Sequence, residues 1–144
     1  MKPVTKIQGF QRVKAMKHMT LFLLLVSTVS SSSRAQIAWQ ADGVPVCTAT
    51  GDQMNPVIAP DQKDGGIIIW QDYRAGNWDL YAQRVDSSGN RLWAGNGVAI
   101  ATGAQDQRAP KAVSDMRGGA IVVYNRMSGS VWYDIWAQRV DSMG

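Results

Sequence analysis

Aromatic and polar side chains that suit the recognition of a small ligand gather in one stretch of this chain and again about fifty residues later. The candidate binding residues are Tyr73, Arg74, Asn77, Trp78, Trp132 and Tyr133. An exposed ring beside amide and charged groups is typical of a sugar-binding site, because the ring packs on the sugar while the polar groups bond its hydroxyls. The alternative is that these rings pack over the edge of a sheet.

Few side chains are suited to catalysis. His18 is the only histidine, there is no glutamate, and Cys47 is the only cysteine. Beyond residue 35 the chain therefore lacks the parts of Ser-His-Asp and Cys-His triads, of zinc–histidine sites and of histidine general bases. We expect no catalytic residue, no metal site and no cofactor. Cys47 is expected to be a small buried apolar residue in a strand.

The acidic side chains after residue 35 are all aspartates, and several of them recur at turns. The recurrent polar pairs are Asp61 with Asp115, Asp86 with Asp141, and Arg84 with Arg139. Two carboxylates can form the active site of a glycosidase. Recurrence beside glycine turns instead favours capping of the turn backbone by the aspartates, and a structural Arg–Asp contact for the arginines.

The chain contains two copies of one repeat. Residues 79–89 return almost unchanged as 134–144, and ten positions between Trp39 and Ile67 recur 54 residues later. A period of this length in a strand-rich chain is typical of repeat architectures such as β-propellers. One residue is inserted between the two blocks, within Met127 to Tyr133, and this stretch is expected to be a loop.

Short apolar segments separated by Gly, Asp and Ser turns predict strands, and no helix is predicted after residue 35. The expected strands are Asn55 to Ala59, Gly66 to Gln71, Asp79 to Val85 and Gly97 to Thr102, then Ala109 to Val113, Gly119 to Asn125 and Asp134 to Val140. The unbroken β-branched run of residues 66–71 indicates a strand buried on both faces.

Four antiparallel strands in each unit of about fifty residues match one blade of a β-propeller. The predicted fold is therefore all-β, with two blade-type repeats at about 39–92 and 93–144 inside a domain of residues 36–144. Ile37 to Thr48 is expected to form a lone strand of the fourth type, which suits closure of a ring. The alternative is a β-sandwich, which has similar strands and turns.

Residues 1–35 are interpreted as a signal peptide. A basic segment precedes the apolar run that begins at Thr20, and Ser33-Arg34-Ala35 offers small residues for cleavage before Gln36. Six of the fifteen basic residues lie before Gln36, which leaves nine against eleven aspartates and a net charge of −2. We therefore expect a secreted or cell-surface protein with no nucleic-acid partner and no membrane insertion after cleavage.

Segments 65–70 and 119–124 are each followed by a polar loop and by Asp-(Leu/Ile)-(Tyr/Trp)-Ala-Gln-Arg-Val-Asp-x-x-Gly. This pattern resembles the blades of large secreted bacterial β-propeller proteins. The resemblance covers Trp39 to Gly144 and implies a repeat module rather than an activity. Such proteins usually carry more blades, so the chain is expected to be a truncated or fragmentary member.

Three functions follow as hypotheses. The first is a non-enzymatic exported module for surface binding or scaffolding, with a glycan or protein as ligand. The second is a carbohydrate-binding lectin in which two-blade chains assemble a ring. The third is a fragment of a propeller hydrolase, which rests on the fold alone. In each case we expect the partner of the two repeats to be a homo-oligomer or missing blades of the same chain, because uncovered sheet faces and edges favour association.

Overall fold

The computed structural model describes residues 39–144, so the predicted signal peptide lies outside the described residues. Between Trp39 and Gly144 the chain is all-β, with antiparallel strands and no helix, and no helix there could cross a membrane. The strands are β1 (Gln53–Pro60), β2 (Gly66–Asp72), β3 (Asp79–Val85), β4 (Val98–Ala101), β5 (Gln107–Ser114), β6 (Ala120–Ser128) and β7 (Trp132–Val140). The seven strands predicted between Asn55 and Val140 are all present among them.

Strands β1 to β4 form a sheet in the order β1-β2-β3-β4, which is called the first repeat from here on, although β4 lies beyond residue 92. Strands β5 to β7 form a three-stranded sheet in the order β5-β6-β7, which is called the second repeat. Consecutive strands pair in each sheet, as tight polar turns require. Strand β2 is buried on both faces apart from the partly exposed Ile68, which confirms the interpretation of its β-branched run. Its counterpart β6 alternates between buried and exposed residues over its first half.

The two sheets share small irregularities as well as strand order. A register shift interrupts β1 after Met54 and β5 after Arg108. At these shifts Asn55 and Ala109 adopt positive φ values of 52° and 53°, and a proline follows each of them. Because the two positions are repeat-equivalent, we interpret the bulge as a feature of the repeat rather than an accident of one copy.

The core lies between the two sheets. Strand β5 contacts β1, β2 and β3, and β4 contacts β7. Ile67, Ile69 and Leu80 of the first repeat are fully buried in one apolar cluster with Val122 and Tyr124 of the second. Full burial of an Ile or Leu side chain contributes roughly 1.5–3 kcal/mol, so this face is the main apolar contact that joins the repeats.

Each repeat closes its first turn with the same ion pair. Asp61 Oδ1 accepts hydrogen bonds from the backbone N–H groups of Lys63 and Gly65, both at 2.9 Å. The other carboxylate oxygen accepts one from Arg84 Nε at 2.8 Å. Asp61 therefore performs both tasks expected of the recurrent residues, turn capping and Arg pairing. Asp115 and Arg139 repeat the arrangement with an Nε–Oδ2 distance of 2.8 Å.

The predicted loop from Met127 to Tyr133 is wrong in extent. Strand β6 continues to Ser128 and β7 begins at Trp132, so only residues 129–131 turn the chain. In the first repeat β2 ends at Asp72, whose Oδ1 caps the N–H of Arg74 at 3.0 Å. The second repeat has Arg126 at the position of Asp72. Arginine has no acceptor for such a turn, so the hairpin extends.

The predicted strand at Ile37 to Thr48 is also wrong for the part that the structure describes. Residues 39–48 contain turns and bends but no strand, because no neighbouring strand in residues 39–144 supplies a backbone ladder to them. Cys47 in this segment is half-buried rather than buried. Its sulfur accepts a hydrogen bond from the Ala49 N–H at 3.4 Å.

Replacing Arg84 with Met should destabilise the fold more than replacing Arg139 with Met. The Asp61 carboxylate is buried, and without Arg84 it keeps a charge with one fewer donor, at a cost of about 1–3 kcal/mol. The Asp115 side chain is also only 3% exposed, but its partner Arg139 is half-exposed, so removal of Arg139 admits water to the Asp115 carboxylate. Urea unfolding at pH 7 measures both variants, and equal losses would contradict the assignment.

The stability difference between the wild type and the Arg84→Met variant should depend on pH. Burial raises the pKa of Asp61, but hydrogen bonds from Lys63, Arg84 and Gly65 outweigh it and hold the pKa below its ordinary value. The stabilisation from this pair is therefore complete above the unfolded pKa of about 3.9 and is lost as pH falls through the folded pKa. The difference between wild type and the Arg84→Met variant should shrink over that range.

Candidate functional site

The loop that joins β2 to β3 holds four of the six candidate residues, and Arg74 is its best-anchored member. Arg74 Nε and Nη2 donate to the two carboxylate oxygens of Asp72 at 2.8 and 2.6 Å. Trp70 Nε1 also donates to this carboxylate, at 2.8 Å. Burial raises the pKa of Asp72, but these donors outweigh it and lower the pKa overall. The Asp72 carboxylate is fully buried and is a structural anchor.

Arg74 extends from this anchor to the neighbouring elements. Its guanidinium lies over the ring of Tyr81, with Cζ 3.7 Å from the ring centroid. Nη2 also donates to the Asn96 carbonyl at 2.9 Å. The hydrogen bond to Asp72 is the largest cause that raises the pKa of Arg74. With two nitrogens engaged and one face stacked, Arg74 serves the packing of the first sheet, and it offers a ligand only the remaining part of its guanidinium.

Tyr73 and Trp78 form the aromatic part of the loop. Their ring centroids are 5.0 Å apart and the planes are inclined by 53°. The guanidinium of Arg108, from the second repeat, lies 5.4 Å from the Trp78 ring. Tyr73 is exposed while Trp78 is half-buried. The pair therefore presents the Tyr73 ring to solvent and uses Trp78 to cover the junction between the repeats.

The main chain of this loop is bonded to the second repeat. The Trp78 N–H donates to Asp106 Oδ1 at 3.0 Å, and its carbonyl accepts from the Gln107 N–H at 2.6 Å. Asn77 Nδ2 donates to the carbonyls of Gly103 and Gln105 at 2.9 and 3.2 Å. Asn77 and the Trp78 backbone thus hold β5 in place, which gives them a structural role with or without a ligand.

Trp132 and Tyr133 lie at the start of β7, in the hairpin of the second repeat. Trp132 is 73% exposed and Tyr133 is 48% exposed. They do not pack on the first pair, since Tyr73 with Trp78 is the one close aromatic pair within residues 39–144. The structure therefore places the six candidate residues in two groups, one packed at the junction of the repeats and one open to solvent.

Asp79 is the carboxylate whose environment differs most from that of the others. It is nearly fully buried, and Oδ1 accepts hydrogen bonds at 3.2 Å from both Gly103 N and Asn77 Nδ2. Burial raises its pKa, and the nearby charges of Asp72 and Asp106 add to the rise against these two donors. Because it is buried, Asp79 is positioned to hold the loop after β4 rather than to meet a substrate.

Sequence reasoning missed a cleft beside the core. It measures about 310 Å³ and lies between the ends of β4 and β5 and the face of β6 and β7 that carries the buried Val122 and Tyr124. The Arg126 guanidinium lies 4.6 Å from the ring of Trp136 there, and Gln138 and the buried Gln107 also line it. The Oε1 atom of Gln107 is buried without a hydrogen-bond partner among the described residues. No local sequence pattern marks this cleft, because its walls come from the separate strands β4, β5, β6 and β7.

Chemically, the arrangement offers stacking surfaces and hydrogen-bond donors. The carboxylates of Asp61, Asp72 and Asp79 are buried in structural hydrogen bonds. Within residues 39–144 no group of three or more His, Cys, Asp or Glu side chains is placed to hold a metal ion. The exposed groups are the rings of Tyr73, Trp132, Tyr133 and Trp136, and the guanidinium of Arg126 is half-buried beside Trp136. These groups suit binding through rings and donors.

The chain matches no family model, and neither the search of curated proteins nor the search of solved structures found a significant match.

Replacing Asp79 with Asn should raise the stability of the fold at neutral pH. The raised pKa of Asp79 means that its charge opposes folding, with the cost appearing as pH rises through the unfolded pKa and complete above the folded pKa. An Asn oxygen can still accept the two hydrogen bonds. Urea midpoints at pH 7 and pH 3 measure the effect, which should vanish at pH 3.

Asp134→Asn is the matched control for this variant, because Asp134 is the exposed repeat counterpart of Asp79. We expect its midpoint to stay close to that of the wild type at both pH values. A loss of stability at pH 7 in the Asp79→Asn variant would mean that the charge of Asp79 supports the junction instead of opposing it.

Proposed function

We propose that this chain is an exported, non-enzymatic repeat module that binds a surface ligand or serves as a scaffold, and that its sheets are β-propeller-type blades. The observation that carries the proposal is the stacking of a four-stranded meander on a repeat of its first three strands. Such stacking buries a continuous core between repeats and leaves loops at the ends for binding.

The use of the polar side chains supports a role without catalysis. Arg84, Asp61 and Gln83 are buried, and all three form hydrogen bonds with other groups of the protein. The repeated string that contains Arg84 is therefore explained by turn closure and sheet packing. The residues that differ between the repeats, such as Asn77 against Val131, lie in the β2–β3 and β6–β7 hairpins, where a ligand would meet the module.

Export predicts a defined N-terminus. When the 144-residue chain is produced in a bacterial host with a Sec pathway, the exported product should begin at Gln36, because Ser33-Arg34-Ala35 presents small residues at the cleavage positions. Intact-mass spectrometry of the periplasmic or secreted product measures the start. Ala35→Arg is the control, which should block processing. A product that keeps residues 1–35 would contradict export by cleavage.

A lectin is the second candidate, favoured by the open rings of the second hairpin. Trp132 is exposed and lies on the same face of the hairpin as the paired residues Asp134 and Arg126, while the exposed Tyr133 lies on the opposite face. Rings with neighbouring carboxylate and guanidinium groups match the apolar and hydroxyl faces of a sugar. The lectin would be the same repeat module with a glycan as its ligand.

A glycan array with the purified chain tests the lectin proposal, followed by titration of the best glycan. Trp132→Ala should weaken binding about tenfold, which corresponds to about 1.4 kcal/mol of lost stacking. Met143→Ala, which removes another exposed apolar side chain, should leave affinity unchanged. Absence of binding to every glycan on the array would remove the lectin and leave the scaffold.

A further inference from the structure

The second repeat exposes the face that the first repeat buries. Ile67, Ile69 and Leu80 of the first repeat are each 0% exposed. Their repeat counterparts Ile121, Val123 and Ile135 are 41%, 40% and 76% exposed. The side chains are of the same apolar type at the same positions of the same strands. The difference is therefore the cover, which strand β5 provides for the first repeat.

Strand β1 carries the counterparts of the β5 residues that cover the first repeat. At the internal junction β5 brings Pro110 and Ala112 against the first sheet, where Pro110 is buried and Ala112 packs on the core. Their counterparts in β1 are Pro56 and Ile58, and both are exposed, Ile58 by 66%. The second repeat thus presents an open apolar face, called the socket, that consists of Ile121, Val123 and Ile135. The first repeat presents the residues that would cover such a face, Pro56 and Ile58, called the insert.

The outer edge of β7 is also uncovered where its counterpart in the first sheet is covered. In the first sheet β4 pairs with β3, with Tyr81 opposite Ala99 and Ala82 opposite Val98. Within residues 39–144 no strand pairs with the outer edge of β7. The repeat counterparts of β4, residues 44–47, have no strand partner there either. The unpaired edge of β7 and the unpaired segment 44–47 could therefore pair through backbone hydrogen bonds, as β3 and β4 do.

The amide of Gln83 shows how that ladder is anchored. Gln83 Oε1 accepts from the Trp93 N–H at 2.9 Å, and Nε2 donates to the Ala94 carbonyl at 2.7 Å. Its counterpart Gln138 is exposed and bonds only to the backbone N–H of Arg139 within the described residues. The main-chain groups that would match it belong to Trp39 and Gln40.

The segment that begins at Trp39 already has the required conformation. A turn closes between the Gly43 N–H and the Gln40 carbonyl at 2.9 Å, as the Gly97 N–H and the Ala94 carbonyl do at 2.8 Å. The two glycines have φ values of 86° and 85°. This segment also packs on its own first repeat, where Trp39 Nε1 donates to the Ser87 carbonyl at 2.8 Å. It is therefore held in place to receive another sheet.

We propose that the open face and edge of the second repeat bind a second copy of this chain, head to tail. The edge of β7 takes residues 44–47 of that copy as its fourth strand, and Ile121, Val123 and Ile135 are covered by Pro56 and Ile58 of that copy. The contact reproduces the internal junction between the repeats. A repeated contact of this kind is heterologous and closes into a ring when its rotation permits. Rings of four to eight sheets correspond to about two to four copies.

The inference rests on the repeat-module part of the proposed function and does not depend on ligand binding. A chain that binds glycans as a single copy would overturn the assembly and leave the lectin intact. An assembled chain without any glycan ligand would do the reverse. The two proposals therefore fail separately.

Light scattering after size exclusion tests the assembly on the full chain. The wild type should elute with the mass of about two to four copies. Val123→Asp and, separately, Ile58→Asp should each give single chains, because each places a charge in the covered face. Both residues are exposed in the single chain, so circular dichroism should stay that of the wild type. Met143→Asp is the control, because its repeat counterpart Ser88 stays exposed at the internal junction.

Mixing the two disrupted variants tests the head-to-tail direction. The Ile58→Asp chain keeps an intact socket and the Val123→Asp chain keeps an intact insert, so together they should form a complex of one copy each and nothing larger. A wild-type chain that stays single at high micromolar concentration would overturn the proposal, as would variants that assemble like the wild type. A mixture that fails to pair would also overturn it.

A disulfide trap tests the register. In a Cys47→Ala background, Val44→Cys combined with Ala137→Cys places the thiols at the positions that correspond to Val98 and Ala82, which pair in the first sheet. Oxidation should link chains into covalent multimers that reducing agent disperses. Val44→Cys with Met143→Cys is the matched control and should stay unlinked. If only the control pair links, the occupant of the β7 edge is not this segment.

Discussion

Burial of one sheet face against the next repeat is the constraint on which the rest of the structure depends. Ile67 and Ile69 stand on a strand that is buried on both faces, and Leu80 faces the same way from β3. A single sheet of this composition leaves an apolar face in water, and stacking it on a second sheet removes that cost. The second repeat is therefore required for the stability of the first, and it then presents the same problem at its own outer face.

Polar contacts between the repeats also stabilise this stacking. Asp61 spans its turn and holds Arg84, whose Nη1 donates to the Ser142 carbonyl of the second repeat at 3.1 Å. Trp78 and Asn77 bond the segment that leads into β5. Arg84, Asn77 and Trp78 gain these partners only when the repeats are stacked. Buried polar groups without partners are costly, so these bonds also fix the register between the sheets.

The sequence predicted the strands well and the site less well, for related reasons. Strand positions follow from short-range patterns of β-branched residues and glycine turns, and these patterns occur twice. The bulges at Asn55 and Ala109 had no local sign beyond the prolines that follow them. The extent of the β6–β7 hairpin depended on one exchange, Arg126 for Asp72, whose effect on the turn appears only when the hydrogen bonds of Asp72 are known. The six candidate residues were correctly placed in hairpins, but their partners lie up to 28 residues away in sequence.

The sequence alone determined the repeat, the strand order along the chain, the turn residues and the absence of histidine and glutamate from the region after residue 35. Only the tertiary structure decided which of two equivalent residues is buried. Leu80 and Ile135 occupy the same position of the repeat, yet one is enclosed and the other is 76% exposed. The physical reason is that propensity and pattern act through neighbours in the chain, whereas burial depends on which surface lies opposite, and that surface comes from a distant segment.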